Sequence, residues 1–357
     1  MSTISLCMIV KNEEAVLERC LKSIKNVVDE IIIVDTGSTD KTKSIAKKFT
    51  EKVFDFKWIN DFSAARNYSF SLATKDYIMW LDADDVVPKR TAEYLIKLKQ
   101  HLSKDVYMLK YNTGFSNNKP TFSFYRERII KNCAQAHWQG CVHECITPFG
   151  NIERLNIAIE HRKVNFKQNN RNLNILKQTL KQRQLSPREL YYFGRELFDH
   201  KQYKKCISVL NKFINSKLGW VENIIDSYDI LHDCYMQLNN ANKALNCLFR
   251  TFSLDLPRAN ICCKIGDFFI NLKKWDNAIY WHKLALNCQK VDTKGAFVYS
   301  FYYNYYPYLQ LCKSYYEIGN IEKSKYYNDK AGKIKPDCQI VKNNKIFFSK
   351  LSNKDNL

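Results

Sequence analysis

The sequence predicts an α/β domain followed by an all-α domain. Short apolar runs alternate with helical patterns in the first part of the chain, at residues 4–10, 31–34 and 53–56. This alternation is typical of parallel strands that are joined by helices. After Lys167 the strand pattern ends, and amphipathic helical segments follow one another. A length of 357 residues suits two domains.

The net charge favours acidic partners. The chain has 56 Lys and Arg residues against 36 Asp and Glu residues, which gives a formal charge of +20. Such an excess attracts nucleotide phosphates or an anionic membrane surface, so peripheral membrane contact is compatible with it. No basic cluster is interleaved with aromatic residues, so we expect no nucleic-acid partner. No apolar run approaches the ~18 residues that a transmembrane helix needs.

The thirteen cysteines are scattered singly, mostly inside helical patterns, and their number is odd. This pattern is typical of reduced, buried thiols and not of a disulfide framework. The N-terminus leads into a strand pattern without the features of a signal peptide. We therefore expect a cytoplasmic protein.

An acidic cluster ends the apolar run that begins at Tyr77. Asp82, Asp84 and Asp85 stand within four residues of one another. Neighbouring carboxylates repel, and a divalent cation such as Mg²⁺ or Mn²⁺ relieves the repulsion. Such cations are commonly held by one or two carboxylates together with substrate phosphates, which indicates a nucleotide-linked donor. The alternative is a helix N-terminus, where Asp residues are favoured by the helix dipole.

Two other strand ends carry polar residues. Asn12 follows the first predicted strand and Asp35 ends the second. Ligands of parallel sheets bind beyond the carboxyl ends of strands, so we expect these residues and the acidic cluster to converge. Asp35 then accepts hydrogen bonds from a base or ribose, unless its turn is an ordinary strand–helix corner. Arg66, one turn into a helix, suits a pyrophosphate or an ion pair with one of the acids.

Four motifs in order resemble those of one family. They are ISLCMIVKNEE at 4–14, VDTGSTD at 34–40, DFSAARN at 61–67 and WLDADD at 80–85. Together they resemble glycosyltransferase family 2, which has the GT-A fold (nucleotide-diphospho-sugar transferase) and a metal-binding D-x-D. The best resemblance is to the branch with tetratricopeptide-like helices after the catalytic domain. Peptide S-glycosyltransferases of the glycocin type are similar to the same branch.

The resemblance implies roles for these residues. Asp35 would contact the uracil or ribose of a UDP-sugar, with Asn12 in the same donor site, and Arg66 would contact the phosphates. Asp82 and Asp84 would form the D-x-D that holds Mn²⁺ or Mg²⁺, with Asp84 the direct ligand. The role of Asp85 stays open.

Two later segments complete the expected site. Residues 106–111 and 121–126 predict antiparallel strands, with a turn at 117–120. The segment HWQGCVHE at 137–144 resembles the F-x-G-x-V-H-E of the family, with Trp138 in place of Phe. The resemblance implies that Glu144 is the general base of an inverting transfer, or alternatively one half of an orienting pair. His143 and Trp138 would contact the acceptor or support residues that do.

His161 lies where the family carries a metal-binding histidine. The Gly-Tyr that usually follows is absent, and Arg162-Lys163-Val164 stands instead. The resemblance implies that His161 completes the metal site, and the alternative is a structural histidine.

The C-terminal half predicts helical repeats. His232 and Gly266 are separated by the 34-residue period of tetratricopeptide repeats. Stacked helical hairpins form a concave surface that suits a peptide or protein. The aromatic run at 299–306 lines such a groove or packs in the core. We expect a catalytic domain at 1–165, a linker helix at 166–186, repeats at 187–341 and a frayed basic tail at 342–357.

These inferences predict a metal-dependent inverting glycosyltransferase. It would move a hexose or N-acetylhexosamine from a UDP-sugar to a peptide or protein side chain held by the helical domain. The alternatives are a cell-surface or lipid-linked saccharide as acceptor, or an inactive helical-repeat scaffold. The oligomeric state is left open, and a homodimer is compatible with the sequence.

Overall fold

The chain divides into two units. A computed structural model describes residues 2–116, 119–164, 170–290 and 298–354. The first unit comprises Met1–Leu197 and the second Phe198–Leu357. Among the described residues, no helix combines the length and apolar character that crossing a bilayer requires.

The first unit is built on a mixed β-sheet. The strand order is β3-β2-β1-β4-β7-β6-β10-β5, and β8 pairs separately with β9. The strands are β1 Ile4–Val10, β2 Glu30–Asp35, β3 Val53–Asp55, β4 Tyr77–Trp80, β5 Asp85–Val86, β6 Val106–Ser116, β7 Lys119–Lys131, β8 Trp138–Gln139, β9 Cys145–Ile146 and β10 Ile152–His161. The helices are α1 Leu17–Ile24, α2 Thr42–Ala46, α3 Phe62–Ser71, α4 Lys89–Leu98, α5 Arg171–Gln182 and α6 Pro187–Asp199, whose last two residues belong to the second unit.

Strand β1 lies at the centre of the parallel part of this sheet. It pairs in parallel with β2 on one side and with β4 on the other. Its alternate side chains enter two different cores, because Leu6 and Met8 pack on one face and Cys7 on the other. An apolar run buried on both faces is what a central parallel strand requires. The predicted α/β arrangement is therefore confirmed.

The register brings three strand ends to one edge. Val10 at the end of β1 pairs with Asp35 at the end of β2, and Cys7 pairs with Trp80 at the end of β4. Asn12 and the acidic cluster follow directly along the chain. The predicted convergence of these segments at the carboxyl edge is thus present.

The antiparallel part of the sheet extends from β4. Strand β7 pairs antiparallel with both β4 and β6. The predicted hairpin is present and longer than expected. Residues 117 and 118 of its predicted turn lie outside the described residues.

The second unit is helical. Its helices are α7 Tyr203–Asn215, α8 Val221–Gln237, α9 Ala241–Arg250, α10 Ala259–Asn271, α11 Trp275–Asn287, α12 Tyr305–Glu317, α13 Ile321–Ile334 and α14 Gln339–Lys354, with a short strand, β11, at Val298–Tyr299. Successive helices pack on one another, as α8 does on α9, α10 on α11 and α12 on α13. Gly266 of α10 lies against the ring of His282 in α11, close enough that a Cβ atom would overlap it.

Two C-terminal segments are mainly packed. In the aromatic run, Tyr302, Tyr303 and Tyr306 pack around buried residues of α10 and α11, whereas Phe301 stays more exposed. The aromatic run therefore serves mainly as core. The segment expected as a basic tail is helical through Lys354 in α14.

Candidate active site

Asp84, Asp85 and His161 form an acidic cluster at the carboxyl edge. Nδ1 of His161 lies 3.2 Å from Oδ1 of Asp84 and 3.3 Å from Oδ1 of Asp85. One ligand atom from each residue falls within 4.8 Å of the others. The three residues meet because the last residue of β10, His161, pairs with Asp85 of β5 across an antiparallel register. The structure therefore places His161 beside Asp84 and Asp85, and its role as a metal ligand stays a prediction.

Asp85 is the buried anchor of this cluster. Its side chain and that of Arg128 are both 0% exposed, with Nη1 of Arg128 donating to Oδ2 of Asp85 at 3.0 Å. The hydroxyl of Tyr111 donates to the other oxygen at 2.8 Å. The charge of Asp85 is thus compensated by protein groups. Asp84, which is 20% exposed, lines a cavity together with His161, and Asp85 does not.

Arg66 connects Asp82 with Glu144. Its Nε donates to Oε1 of Glu144 and its Nη2 to Oδ1 of Asp82, each at 2.6 Å. The guanidinium lies 5.1 Å from the ring centre of Trp80 and 4.8 Å from that of Trp138. These contacts fix the plane of the fork, so two acids that are far apart in the sequence are held by one cation. Asp82 lies outside the cluster formed by the other two acids and His161.

Burial and nearby charges shift the pKa values of three titratable groups of the site, lowering that of Asp82 and raising those of Glu13 and His161. Burial raises the pKa of Asp82, but the charges of Arg66 and Arg128 outweigh it and bring the pKa down to about 2. Burial together with the charges of Asp84 and Asp82 raises the pKa of Glu13 from its usual 4.5 to about 7. Burial lowers the pKa of His161, but its hydrogen bonds to the neighbouring acids raise it to about 10. The raised pKa values of Glu13 and His161 indicate a negative potential next to Asp84, which suits a cation.

Asp35 and Asn12 shape the turn after β2. Oδ1 of Asp35 accepts hydrogen bonds from the backbone N–H groups of Gly37 and Ser38, at 2.9 and 2.8 Å. Oδ1 of Asn12 accepts from the N–H of Thr39 at 2.8 Å. Asp35 therefore stabilises the turn between strand β2 and helix α2. Its Oδ2 is also buried without a hydrogen-bond partner among the described residues, which leaves one acceptor for a ligand N–H or O–H.

Trp138 precedes the loop at residues 140–144, and His143 lies within this loop, directly before Glu144. The indole of Trp138 is buried edge-on against Trp80, with ring centres 4.9 Å apart, and supports the guanidinium of Arg66 from below. His143 lines the cavity, and its ring stacks on Tyr192 at 4.2 Å. Trp138 is thus a supporting residue, and His143 is accessible to a ligand.

A cavity of about 430 Å³ lies at this edge of the sheet, and among the described residues Asn12, Asp35, Asp85 and Trp138 do not line it. It reaches six of the residues that the sequence singled out, namely Arg66, Asp82, Asp84, His143, Glu144 and His161. Its wall also contains residues that the sequence reasoning missed: Lys11, Glu13, Trp58, Phe62, Arg126, Lys163, Arg171 and Asn172. Glu13 stands beside Asn12 and could have been found by its position. Arg126 and Arg171 carry no local signal, since one lies within a strand and the other in a helix expected to be a linker.

The residues present fit a divalent cation. Carboxylate oxygens and one imidazole nitrogen are ligands that Mn²⁺ and Mg²⁺ accept. Asp84 and His161 both line the cavity, and Nδ1 of His161 lies 3.2 Å from Oδ1 of Asp84. His161 can bind a metal only after its imidazole has lost its proton. A bound cation would then replace the positive charge that the proton gives to the site.

Comparison with known proteins agrees with this geometry. Residues 5–175 match the family model described as Glycosyl transferase family 2. The chain is 31% identical over 254 residues to the SPbeta prophage-derived glycosyltransferase SunS of Bacillus subtilis (strain 168), covering 67% of this chain and 60% of that protein. It is 51% identical over 85 residues to a TPR repeat-containing protein of Synechococcus elongatus, covering 24% of this chain and 21% of that one.

One solved structure illustrates the level of structural similarity. The crystal structure of S. aureus TarS aligns with a TM-score of 0.40 and 14% sequence identity, covering 68% of this chain and 54% of that chain. The family match and the observed sheet confirm the predicted GT-A-type domain, and the packed helices confirm the helical domain after it.

Proposed function

We propose that this chain, whose residues 5–175 form a domain of glycosyltransferase family 2, is a metal-dependent inverting glycosyltransferase. It transfers a hexose or N-acetylhexosamine from a UDP-sugar to a peptide or protein side chain. The observation that carries the proposal is the common cavity, which is lined by both the Asp84–His161 pair and the Arg66–Glu144 pair.

The donor end of the cavity suits a nucleoside diphosphate sugar. Asp84 and His161 would hold Mn²⁺ or Mg²⁺, which when bound neutralises the diphosphate leaving group. Asp35 offers its buried oxygen to the base or ribose. The cationic side chains in the wall, Lys11, Arg126 and Arg171, suit phosphate oxygens. Arg66 is engaged by two acids, so we assign it to holding these acids in place first and to phosphate contact only second.

Glu144 is the proposed general base. One of its oxygens accepts from Arg66, and the carboxylate lines the cavity that Asp84 faces. In the proposed step, the acceptor heteroatom gives its proton to Glu144 and bonds to the anomeric carbon. The bond between that carbon and the diphosphate oxygen breaks on the opposite face, and UDP leaves with the bonding electrons. This in-line displacement inverts the anomeric carbon.

A peptide or protein acceptor is supported by the resemblance of the motifs and by the helical repeats that follow the catalytic domain. SunS, of which the chain spans 60%, is named as a glycosyltransferase. The acceptor is therefore inferred from the motifs and the helical repeats of this chain.

UDP release tests the proposal. Purified protein is incubated with Mn²⁺, a panel of UDP-sugars and a peptide array, and UDP is measured for wild type and Asp84→Asn. Asp337→Asn is the matched control, because the side chain of Asp337 is 98% exposed. We expect Mn²⁺-dependent release in wild type and control, and a loss of at least ~100-fold in Asp84→Asn. If UDP is released only with glycan acceptors, the acceptor is a saccharide and not a peptide. If UDP is neither released nor bound in a metal-dependent way, the protein is a scaffold without transferase activity.

A further inference from the structure

Helix α6 lies against the loop that carries Glu144. The loop spans residues 140–144, and one side of it is held by the start of α3, where the N–H of Phe62 donates to the carbonyl of Cys141 at 3.0 Å. The hydroxyl of Ser63 donates to the carbonyl of Gly140 on the same side. The other side of the loop faces α6. Since α6 follows the segment that matches the family model, nothing in the motifs assigns it a role in the site.

Arg188 holds the backbone next to Glu144. Its Nε and Nη2 both donate to the carbonyl oxygen of His143, at 3.2 and 3.0 Å. His143 has a φ of 52°, a left-handed conformation that is uncommon for a residue with a side chain. A forked donor on this carbonyl fixes the peptide that joins His143 to Glu144. The direction of the Glu144 side chain thus depends on a residue 44 positions later in the sequence.

Glu196, two turns further along α6, holds the ring of His143. Nε2 of His143 lies 3.1 Å from Oε1 of Glu196, which also accepts from Nδ2 of Asn172 at 3.1 Å. Because a carboxylate only accepts hydrogen bonds, Nε2 carries the proton in this contact. Tyr192, one turn before Glu196, stacks on the same ring with an interplanar angle of 12°. Three positions of one helix face therefore fix one residue.

A third contact reaches the start of the loop. Glu189 accepts from the N–H of Cys141 at 3.5 Å and is itself held by Arg183, with both Nη atoms at 2.7 Å. The side chain of Glu189 is buried. Because the carboxylate of Glu189 is buried and is held by two hydrogen bonds from Arg183, it is a fixed acceptor for the backbone of the loop.

We propose that helix α6 is part of the catalytic machinery, with Arg188 and Glu196 as positioning residues that hold the loop bearing Glu144. The inference rests on the proposed function, in which Glu144 accepts the proton of the nucleophile. Small displacements of such a group cost large factors in rate, because proton transfer requires hydrogen-bond distance. The sequence analysis expected α6 to be the first helix of the repeats that bind the acceptor. In this proposal, α6 instead positions the catalytic loop.

Steady-state kinetics on the full-length protein tests the proposal. The variants are Arg188→Gln, Arg188→Lys, Glu196→Ala and Glu196→Gln, and Arg90→Gln on the exposed side of α4 is the matched control. We expect kcat to fall by roughly 30-fold in Arg188→Gln and in Glu196→Ala, with the Kd for UDP within about twofold of wild type. Arg188→Lys and Glu196→Gln each keep one hydrogen bond to His143 and should recover part of the rate. Arg90→Gln should behave as wild type.

Hydrogen exchange provides a second readout that does not need turnover. In wild type, amides of residues 140–146 should exchange slowly, and in Arg188→Gln they should exchange at least ~10-fold faster while the rest of the sheet is unchanged. Unchanged kcat and unchanged exchange in both Arg188→Gln and Glu196→Ala would overturn the proposal. A raised KM for the acceptor at unchanged kcat would also overturn it, because it would make these residues acceptor contacts. If wild type itself shows no turnover, the proposed function fails, and the exchange data alone decide whether α6 holds the loop.

Discussion

Arg66 and Glu144 are 78 positions apart and are joined by a hydrogen bond of 2.6 Å between Nε and Oε1. The same guanidinium reaches Asp82 with its Nη2. The acidic segment after β4 and the loop of the candidate base are therefore held by one side chain. The guanidinium of Arg66 packs against the indoles of both Trp80 and Trp138, which supports the link.

Arg66→Lys should inactivate the protein without unfolding it. A lysine ammonium keeps the charge but lacks the planar fork that binds two acids at once. We expect kcat to fall about 100-fold, as is typical when a reacting group is displaced by about 1 Å. UDP release and a thermal melt measure the two properties. A variant with wild-type kcat would show that the link is dispensable.

Asp84 and Asp85 should differ in what their loss costs. Asp85→Asn removes the counter-charge of the fully buried Arg128 and should lower the free energy of unfolding by about 3–5 kcal/mol. Asp84→Asn removes a partly exposed carboxylate and should leave stability within about 1 kcal/mol while abolishing Mn²⁺-dependent UDP binding. Urea denaturation and calorimetric titration separate the two effects. Equal stability losses in both variants would contradict the assignment of Asp85 as the anchor.

Glu189 should contribute an acid-sensitive part of the stability. Burial raises its pKa, but the hydrogen bonds from Arg183 and from backbone N–H groups lower it from 4.5 to about 2. A depressed carboxyl pKa stabilises the fold above the unfolded pKa, and the contribution is lost as the pH falls from about 5 toward 2.

Wild type should therefore exceed Glu189→Gln by about 2 kcal/mol near neutral pH, a figure reduced because Arg183 is half-exposed. The difference should shrink steadily below about pH 4.5. Urea midpoints measured between about pH 3 and 7 check this, with Glu93→Gln on the exposed side of α4 as control. A difference independent of pH would show that hydrogen bonding without charge stabilises this corner.

Gly266→Ala should destabilise the second unit although alanine is the better helix former. The added Cβ would lie 2.3 Å from Cε1 and 2.5 Å from Nδ1 of His282. That ring is buried and held by the carbonyl of Ala278 and by Asp267, so it cannot move aside. We expect a loss of about 2 kcal/mol, net of the helix propensity gained. In a double-mutant cycle with His282→Ala, most of the penalty of Gly266→Ala should disappear. If the stability losses of Gly266→Ala and His282→Ala are additive, overlap with the ring of His282 is not the cause of the destabilisation.

The parts of the fold that could be predicted are those with local signals. The apolar runs of β1 and β2 predict strands, and the turn residues after each run predict where the strand ends. Parallel pairing of these strands then brings Asn12, Asp35 and the acidic cluster to one edge of the sheet. The 34-residue offset between His232 and Gly266 gives the helical repeats, because each repeat must bury the same face of its neighbour.

The parts that could not be predicted depend on pairings across long stretches of chain. The buried Arg128–Asp85 ion pair joins β7 to β5, and nothing near Arg128 in the sequence indicates a partner. Arg66 was expected to contact phosphates or to pair with one acid, and its hydrogen bonds to two acids depend on residues 16 and 78 positions away in the sequence. The contacts of α6 with the 140–144 loop depend on how the helix packs on the sheet, which a helical pattern alone does not specify.

A crystal structure with Mn²⁺ and UDP tests the central claim most directly, because anomalous scattering locates the metal independently of the protein atoms. We predict Mn²⁺ within about 2.3 Å of an oxygen of Asp84 and of a diphosphate oxygen, with the uridine at Asp35. A metal or nucleotide bound away from the cavity that joins Asp84, Arg66 and Glu144 would contradict the account.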